Sequence, residues 1–84
     1  MPNKATIARV QTGIRIEKRT LKVLKALAEL KDLTVGDLLE GVLLHVYEGK
    51  HPFTKETVGQ IKELKRIYGL TLTADKSHLL VEKS

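Results

Sequence analysis

The sequence predicts a mainly α-helical fold in which a single N-terminal strand pairs with the same strand of a second chain. Within the stretch Arg9–Ile16, side chains alternate between two faces, clearly so from Thr12, which is typical of a half-buried strand of about 6–8 residues. Two helical patterns follow directly, and no second alternating segment lies within hairpin distance. A lone strand leaves its backbone donors and acceptors unpaired, so its partner is expected to come from another copy of the chain.

Length and composition also favour a dimer. The chain has 84 residues, of which 42% are hydrophobic, and it contains no cysteine. A domain of this size buries only about 60% of its unfolded surface and is marginally stable as a monomer. The lack of cysteine excludes disulfides and cysteine-based metal sites. Because no apolar run approaches the ~20 residues of a membrane span and the N-terminus has no signal-peptide pattern, we expect a cytoplasmic protein with no membrane partner.

The positive charge is concentrated in the first part of the chain. The net charge is +5, and residues 1–25 hold seven basic residues and one acidic residue, a balance of +6. Residues 26–84 hold eight basic and nine acidic residues, a balance of −1. This asymmetry indicates a polyanionic partner for the N-terminal part. The alternative is a solvated surface whose charge is balanced by acids elsewhere.

The first helix is predicted from about Glu17 or Lys18 to Leu33. Apolar residues recur there at helical spacing and form one stripe, namely Leu21, Leu24, Leu27, Ala28 and Leu30. Lys18, Lys22, Lys25 and Glu29 fall on the opposite face. Solubility is the simplest role of these lysines, and contact with DNA phosphates is the alternative.

The second helix is predicted from Val35 to about Glu48, ending at Gly49. Thr34 is the expected N-cap because Asp37 stands three residues later. The helix is apolar nearly all round, so it should be buried against more than the first helix. A second chain would supply that additional surface.

A third helix is predicted from about Lys55 to Tyr68. Thr54 is its expected N-cap and Gly69 its expected end. Residues 70–73 are predicted as a short extended piece, and residues 74–81 as a terminal helical turn.

The order of strand, helix, short turn and helix, with Gln11, Gly13 and Arg15 on the outer face of the strand, resembles the ribbon-helix-helix family of DNA-binding proteins. The resemblance covers about residues 9–49, the DNA-binding and dimerisation domain, and leaves residues 1–8 as a flexible basic arm and residues 50–84 as a C-terminal helical extension. It implies an intertwined homodimer with an intermolecular two-stranded antiparallel ribbon, to which this chain adds a C-terminal helix.

The resemblance also implies which residues contact DNA. The ribbon of this family enters the major groove, so Gln11, Gly13 and Arg15 are expected to contact bases. Arginine suits guanine and glutamine suits adenine, whereas Gly13 stands where the family usually carries a polar side chain. Phosphates are expected at the second helix N-terminus and beside the ribbon. The residues implied for these phosphate contacts are Lys4, Arg9, Thr34, Val35 and Gly36.

The dimer core implied by this fold combines the inward strand residues with the apolar stripes of the first two helices. Its expected members are Ile14, Ile16, Leu21, Leu24, Leu38, Leu39, Val42, Leu43 and Val46.

The sequence therefore predicts sequence-specific binding of double-stranded DNA by a homodimeric, repressor-like transcriptional regulator associated with the nucleoid. The resemblance further implies that two dimers sit side by side on one operator. A second interpretation is an antitoxin whose residues 50–84 neutralise a toxin, and a third is an interaction dimer that does not bind DNA.

Catalysis is not expected. His45, His51 and His78 are not spaced as a metal-ligand set, and the sequence has neither a nucleophile arrangement nor a glycine-rich phosphate loop. We therefore predict no enzyme activity, no cofactor and no metal.

Overall fold

The computed structural model describes residues 4–82, and within them the chain forms three α-helices and one short 3₁₀ helix. Helix α1 spans Lys18–Leu30, α2 spans Val35–Tyr47, α3 spans Lys55–Tyr68, and the 3₁₀ helix spans Ala74–Lys76. The prediction of a mainly α-helical chain is confirmed, and α3 has the predicted bounds. The terminal helical turn predicted over residues 74–81 is reduced to the 3₁₀ helix.

The predicted ribbon-helix-helix fold is wrong, because residues 4–82 contain no strand and therefore no ribbon. Residues 4–17, which precede α1, have no regular secondary structure. Residues 70–73, between α3 and the 3₁₀ helix, have none either. A strand needs a hydrogen-bonded ladder with a second segment, and the described chain supplies none for Thr12–Ile16. The alternation also marks no buried face, since Ile14 is 67% exposed and Ile16 is 36% exposed.

Side-chain caps begin α2 and α3 where the sequence predicts them. The Thr34 hydroxyl oxygen accepts a hydrogen bond from the Asp37 backbone N–H at 3.1 Å. The Thr54 hydroxyl accepts one from the Thr57 backbone N–H at 3.2 Å. Each cap satisfies a backbone donor that has no partner within its own helix.

Helix α1 ends at Leu30, short of the predicted Leu33. Asp32 adopts a left-handed conformation with φ of 59°, and the Leu33 N–H donates to the Ala28 carbonyl at 2.9 Å. Helices α2 and α3 end in the same way at glycines, with φ of 72° at Gly49 and 68° at Gly69. A glycine after a helical pattern predicts such an ending from the sequence. Aspartate rarely adopts this conformation, so the early end of α1 was not predicted.

The core lies on α1, which packs against both α2 and α3. Its buried centre consists of Leu27, Ala28 and Leu38. Apolar side chains from all three helices and the loop before α3 pack around this centre, namely Leu24, Val35, Val42, Phe53, Ile61 and Leu64. Among the described residues, Val23 is the one other buried apolar side chain. A single copy therefore has a small core.

Replacing Thr34 with alanine should lower the free energy of unfolding by about 1 kcal/mol. The Asp37 N–H would lose its acceptor at the start of α2 while the buried core is left intact. Urea unfolding followed by circular dichroism measures the difference. Thr71→Ala, at an exposed position outside the helices, is the matched control, and an equal loss in both variants would contradict the role of the cap.

Candidate nucleic-acid interface

Every basic side chain of residues 4–25, which we call the basic segment, is exposed. These side chains are Lys4, Arg9, Arg15, Lys18, Arg19, Lys22 and Lys25. Glu17 is the single acidic residue of the segment, and α1 uses it as its N-cap. The positive excess of the chain therefore lies at its surface.

Helix α1 carries three lysines of the basic segment on one face. Lys18, Lys22 and Lys25 are spaced by four and three residues, which places them one above another along the helix. The opposite side holds Val23 and Leu27, which are only 7% and 3% exposed. The amphipathic pattern that buries one side of α1 in the core thus directs the lysine face to solvent.

Arg19 has a different role from these lysines. Arg19 directly follows Lys18 and is rotated by about 100° from it around the helix. Its Nη1 donates a hydrogen bond to the Gly69 carbonyl at 3.3 Å. This contact joins the first turn of α1 to the end of α3, so Arg19 helps to fix the position of the basic helix.

Glu17 organises the start of α1. Its carboxylate accepts hydrogen bonds from the backbone N–H groups of Arg19 at 3.0 Å and Thr20 at 2.7 Å, and from the Thr20 hydroxyl at 2.8 Å. These hydrogen bonds, the Arg19 backbone contact first among them, lower the pKa of the Glu17 carboxyl. Glu17 was not predicted as a cap because glutamate is not a preferred N-cap residue. An acid directly before a helix start was the available signal.

Glu17 should make the stability of the protein depend on pH. Its pKa is lower in the folded chain than in the unfolded chain, so its stabilising effect is complete above the ordinary glutamate pKa. The effect disappears as the pH falls through the lower, folded value. When the pH is lowered from about 7 to about 3, the melting temperature of Glu17→Gln should therefore fall less than that of the parent chain. Glu29→Gln, on the exposed face of α1, is the control and should behave like the parent chain.

Arg9 is bound to α2 in this structure. Its Nε donates to Glu40 Oε2 at 3.0 Å and its Nη2 to Glu40 Oε1 at 2.8 Å, while Asp37 Oδ1 lies 3.9 Å from Nη2. The hydrogen bonds from Arg9 lower the pKa of the Glu40 carboxyl. Glu40 engages Nε and Nη2 of the Arg9 guanidinium, so a phosphate would bind the remaining N–H donors of Arg9 or displace Glu40. Glu40 could not be predicted as the partner of Arg9, since the two residues are 31 positions apart.

The predicted phosphate contacts are brought together only in part. Arg9 lies beside the first half of α2, whose N-terminus carries Thr34 and Gly36 at exposed positions and Val35 at a half-buried one. Lys4 is exposed ahead of the helices. The Thr34 hydroxyl oxygen accepts the capping bond from the Asp37 N–H, and its own O–H is still able to donate to an anion.

The predicted base contacts Gln11, Gly13 and Arg15 are all exposed. Since no strand forms, they do not share the outer face of a ribbon in this chain. Arg15 forms an ion pair with Glu82 near the other end of the chain. Contact of these residues with bases stays a prediction that depends on the resemblance.

The residues of the predicted dimer core fall into three groups, which are buried, half-buried and exposed. Leu38 is only 6% exposed and belongs to the core of its own chain, whereas Leu43 and Val46 are 44% and 52% exposed. Leu21, Leu24, Leu39 and Val42 are half-buried, and the two isoleucines of the predicted strand are exposed. On α2, one apolar surface therefore stays uncovered, which we call the α2 stripe: Leu39, Leu43, Val46 and Tyr47.

Comparison with known proteins gives no match to a family model, a curated protein or a solved structure. Within residues 4–82, no cluster of three or more histidine and acidic side chains is placed to hold a metal ion. No helix of this same region is long and apolar enough to cross a membrane. Function must therefore be inferred from the surfaces of this chain.

Proposed function

We propose that the protein binds double-stranded DNA as a homodimer and acts as a repressor-like transcriptional regulator, located in the cytoplasm at the nucleoid. The supporting observation is the basic segment, whose seven basic side chains are exposed and whose single acid caps α1. Two of the seven, Arg9 and Arg15, form ion pairs with Glu40 and Glu82, and the lysines of α1 carry most of the argument. Duplex DNA carries one negative charge per about 1.7 Å of its axis, and cationic side chains that neutralise phosphates release bound counterions. A concentrated and solvent-facing positive segment suits this partner.

The lysine face of α1 is the best-defined part of the proposed DNA surface. Lys18, Lys22 and Lys25 are held in register by the helix and have no acid between them along the chain. Contacts of lysines with phosphates set affinity and position rather than sequence preference. Sequence preference is assigned to Gln11 and Arg15, whose side chains have the donors and acceptors that match base edges.

The homodimer is supported by the surface area of the single chain. A globular protein of 9.4 kDa exposes about 5,000 Å², whereas this chain exposes 7723 Å². Exposed residues outside the helices, in 4–17 and 70–82, contribute to the excess of about 2,700 Å². About 800 Å² of it would suffice for the share of each partner in an interface of standard size. Large apolar side chains form part of this excess, including Ile14, Leu43 and Tyr47. A dimer would cover them and would also double the basic segment presented to DNA.

The antitoxin interpretation receives less support from the fold. Helix α3 packs on α1, and its Ile61 and Leu64 contact the core centre. Residues 55–68 are thus part of one folded unit, whereas the antitoxin interpretation requires a tail that is disordered until it binds its toxin.

Fluorescence anisotropy with labelled random and genomic duplexes over a range of salt concentrations tests the proposal. The logarithm of the binding constant should fall linearly with the logarithm of salt, with a slope of about −0.9 for each neutralised phosphate. On a selected site, Gln11→Ala and Arg15→Ala should each weaken binding by roughly 5- to 150-fold and relax the sequence preference. Absent or salt-independent binding would overturn DNA binding and favour the interaction dimer.

A further inference from the structure

A wide apolar groove adjoins the α2 stripe. The groove has a volume of about 830 Å³ and lies between the three helices, residues 15–17 and residues 70–80, with Arg15 at its rim. Its apolar walls include Leu24 of α1, Leu39 and Val42 of α2, Phe53 in the loop before α3, Ile61 of α3, and Leu72. All six of these wall residues are half-buried rather than buried, so the groove is open to solvent in a single chain.

The groove and the α2 stripe form one continuous surface. Leu39 belongs to both, because it lines the groove and begins the series Leu39, Leu43 and Val46 along α2. The spacing of four and then three residues keeps this series on one side of the helix. Tyr47, which is 75% exposed, extends the stripe beyond the groove at the end of α2.

We propose that the groove is the seat for the α2 stripe of a second copy, so that α3 and Leu72 complete the dimer interface. This inference rests on the homodimer proposed above and assigns a role to the C-terminal part of the chain. In a two-fold dimer each patch meets the same patch of its partner, so two chains that carry adjoining stripe and groove cover both surfaces in one arrangement. The excess exposed area of about 2,700 Å² per chain is enough for such an interface.

A second copy explains more of the surface than a small molecule does. A compound bound in the groove would cover Leu72 and Ile61 but would leave Tyr47 and Val46 of the stripe in water, at 75% and 52% exposure. Only a partner as extended as a helix covers both parts. The second copy's α2 has the required apolar residues and the required length, 13 residues.

Cross-linking between introduced cysteines tests the seat, because the parent chain has no cysteine of its own. A full-length chain with Leu43→Cys is co-expressed with a larger, tagged chain that carries Leu72→Cys, and the mixture is treated with a short bismaleimide. We expect a shift of the gel band to the mass of the mixed dimer. In the matched control the tagged chain carries Glu29→Cys, on the lysine face of α1, and the mixed-dimer band should be lost. A second pair, Tyr47→Cys with Lys65→Cys on the groove rim, replaces the first if Leu72→Cys impairs folding.

Sedimentation and native mass spectrometry separate the outcomes. A dimer that yields neither cross-linked pair overturns the seat and leaves a DNA-binding dimer standing. A chain that sediments at a single-chain mass overturns the seat together with the homodimer, as does a single chain that carries a bound small molecule. A cross-linked dimer that does not bind DNA supports the seat and overturns only the proposed DNA binding.

Discussion

Leu43→Asp is expected to convert the dimer into single chains at micromolar concentration. Leu43 is 44% exposed in one copy, so aspartate there should disturb the fold of the single chain little. In the dimer, two carboxylates would enter an apolar interface, and burial of an unpaired charge costs several kcal/mol. The dissociation constant should rise by roughly 10³- to 10⁴-fold. Sedimentation velocity measures the change in mass, and circular dichroism verifies that the helices are retained.

Leu44→Asp is the matched control for this experiment. It places the same charge on the same helix at a position rotated by about 100° from Leu43 and about 160° from Val46, beyond Tyr47 at the edge of the stripe, and Leu44 is 63% exposed. This variant should stay dimeric. Dimers of normal stability in both variants would show that the α2 stripe is not the interface, and dissociation of both would show that the interface extends around α2.

Lys22→Gln combined with Lys25→Gln should have the largest effect on DNA binding. The two substitutions remove four positive charges from the lysine faces of a dimer and leave the buried side of α1 unchanged. If two to four phosphate contacts are lost, affinity at 0.1 M salt should fall by roughly 10²- to 10³-fold, equally for random and selected duplexes. The salt dependence should become less steep by about one unit for each lost contact.

The control must remove the same charge from another surface. Lys55→Gln with Lys62→Gln on α3 does so at two exposed positions. This variant should retain most of the affinity of the parent chain, because screening weakens distant charges at this salt concentration. Equal losses in the two double variants would mean that net charge, rather than the lysine face of α1, determines binding.

The local features of the helices could be predicted from single residues. Thr34 and Thr54 marked the starts of α2 and α3, and Gly69 marked the end of α3, because a hydroxyl cap and a left-handed glycine act on backbone groups only a few residues away. Asp32 ended α1 without such a signal, and Glu17 capped it with an unusual residue. Both were missed because their conformations are uncommon for those residue types.

The candidate site was predictable in its charge and not in its contacts. Composition alone placed the positive excess in residues 1–25, and the helical spacing of Lys18, Lys22 and Lys25 placed three of these charges on one face. The binding of Arg9 to Glu40 and of Arg15 to Glu82 was not predictable. Exposed side chains so distant in sequence meet only after the intervening helices have packed.

By itself, the sequence determined where three helices form, which side of α1 is apolar and which side is basic, since periodicity and capping are properties of neighbouring residues. The tertiary structure decided that Thr12–Ile16 forms no strand, because a strand requires a second segment to pair with and the alternation of side chains does not provide one. It also decided that α3 joins α1 while the α2 stripe remains in water. Burial of a side chain depends on which helix faces pack together. That packing joins residues far apart in the sequence, so it is defined only in the folded chain.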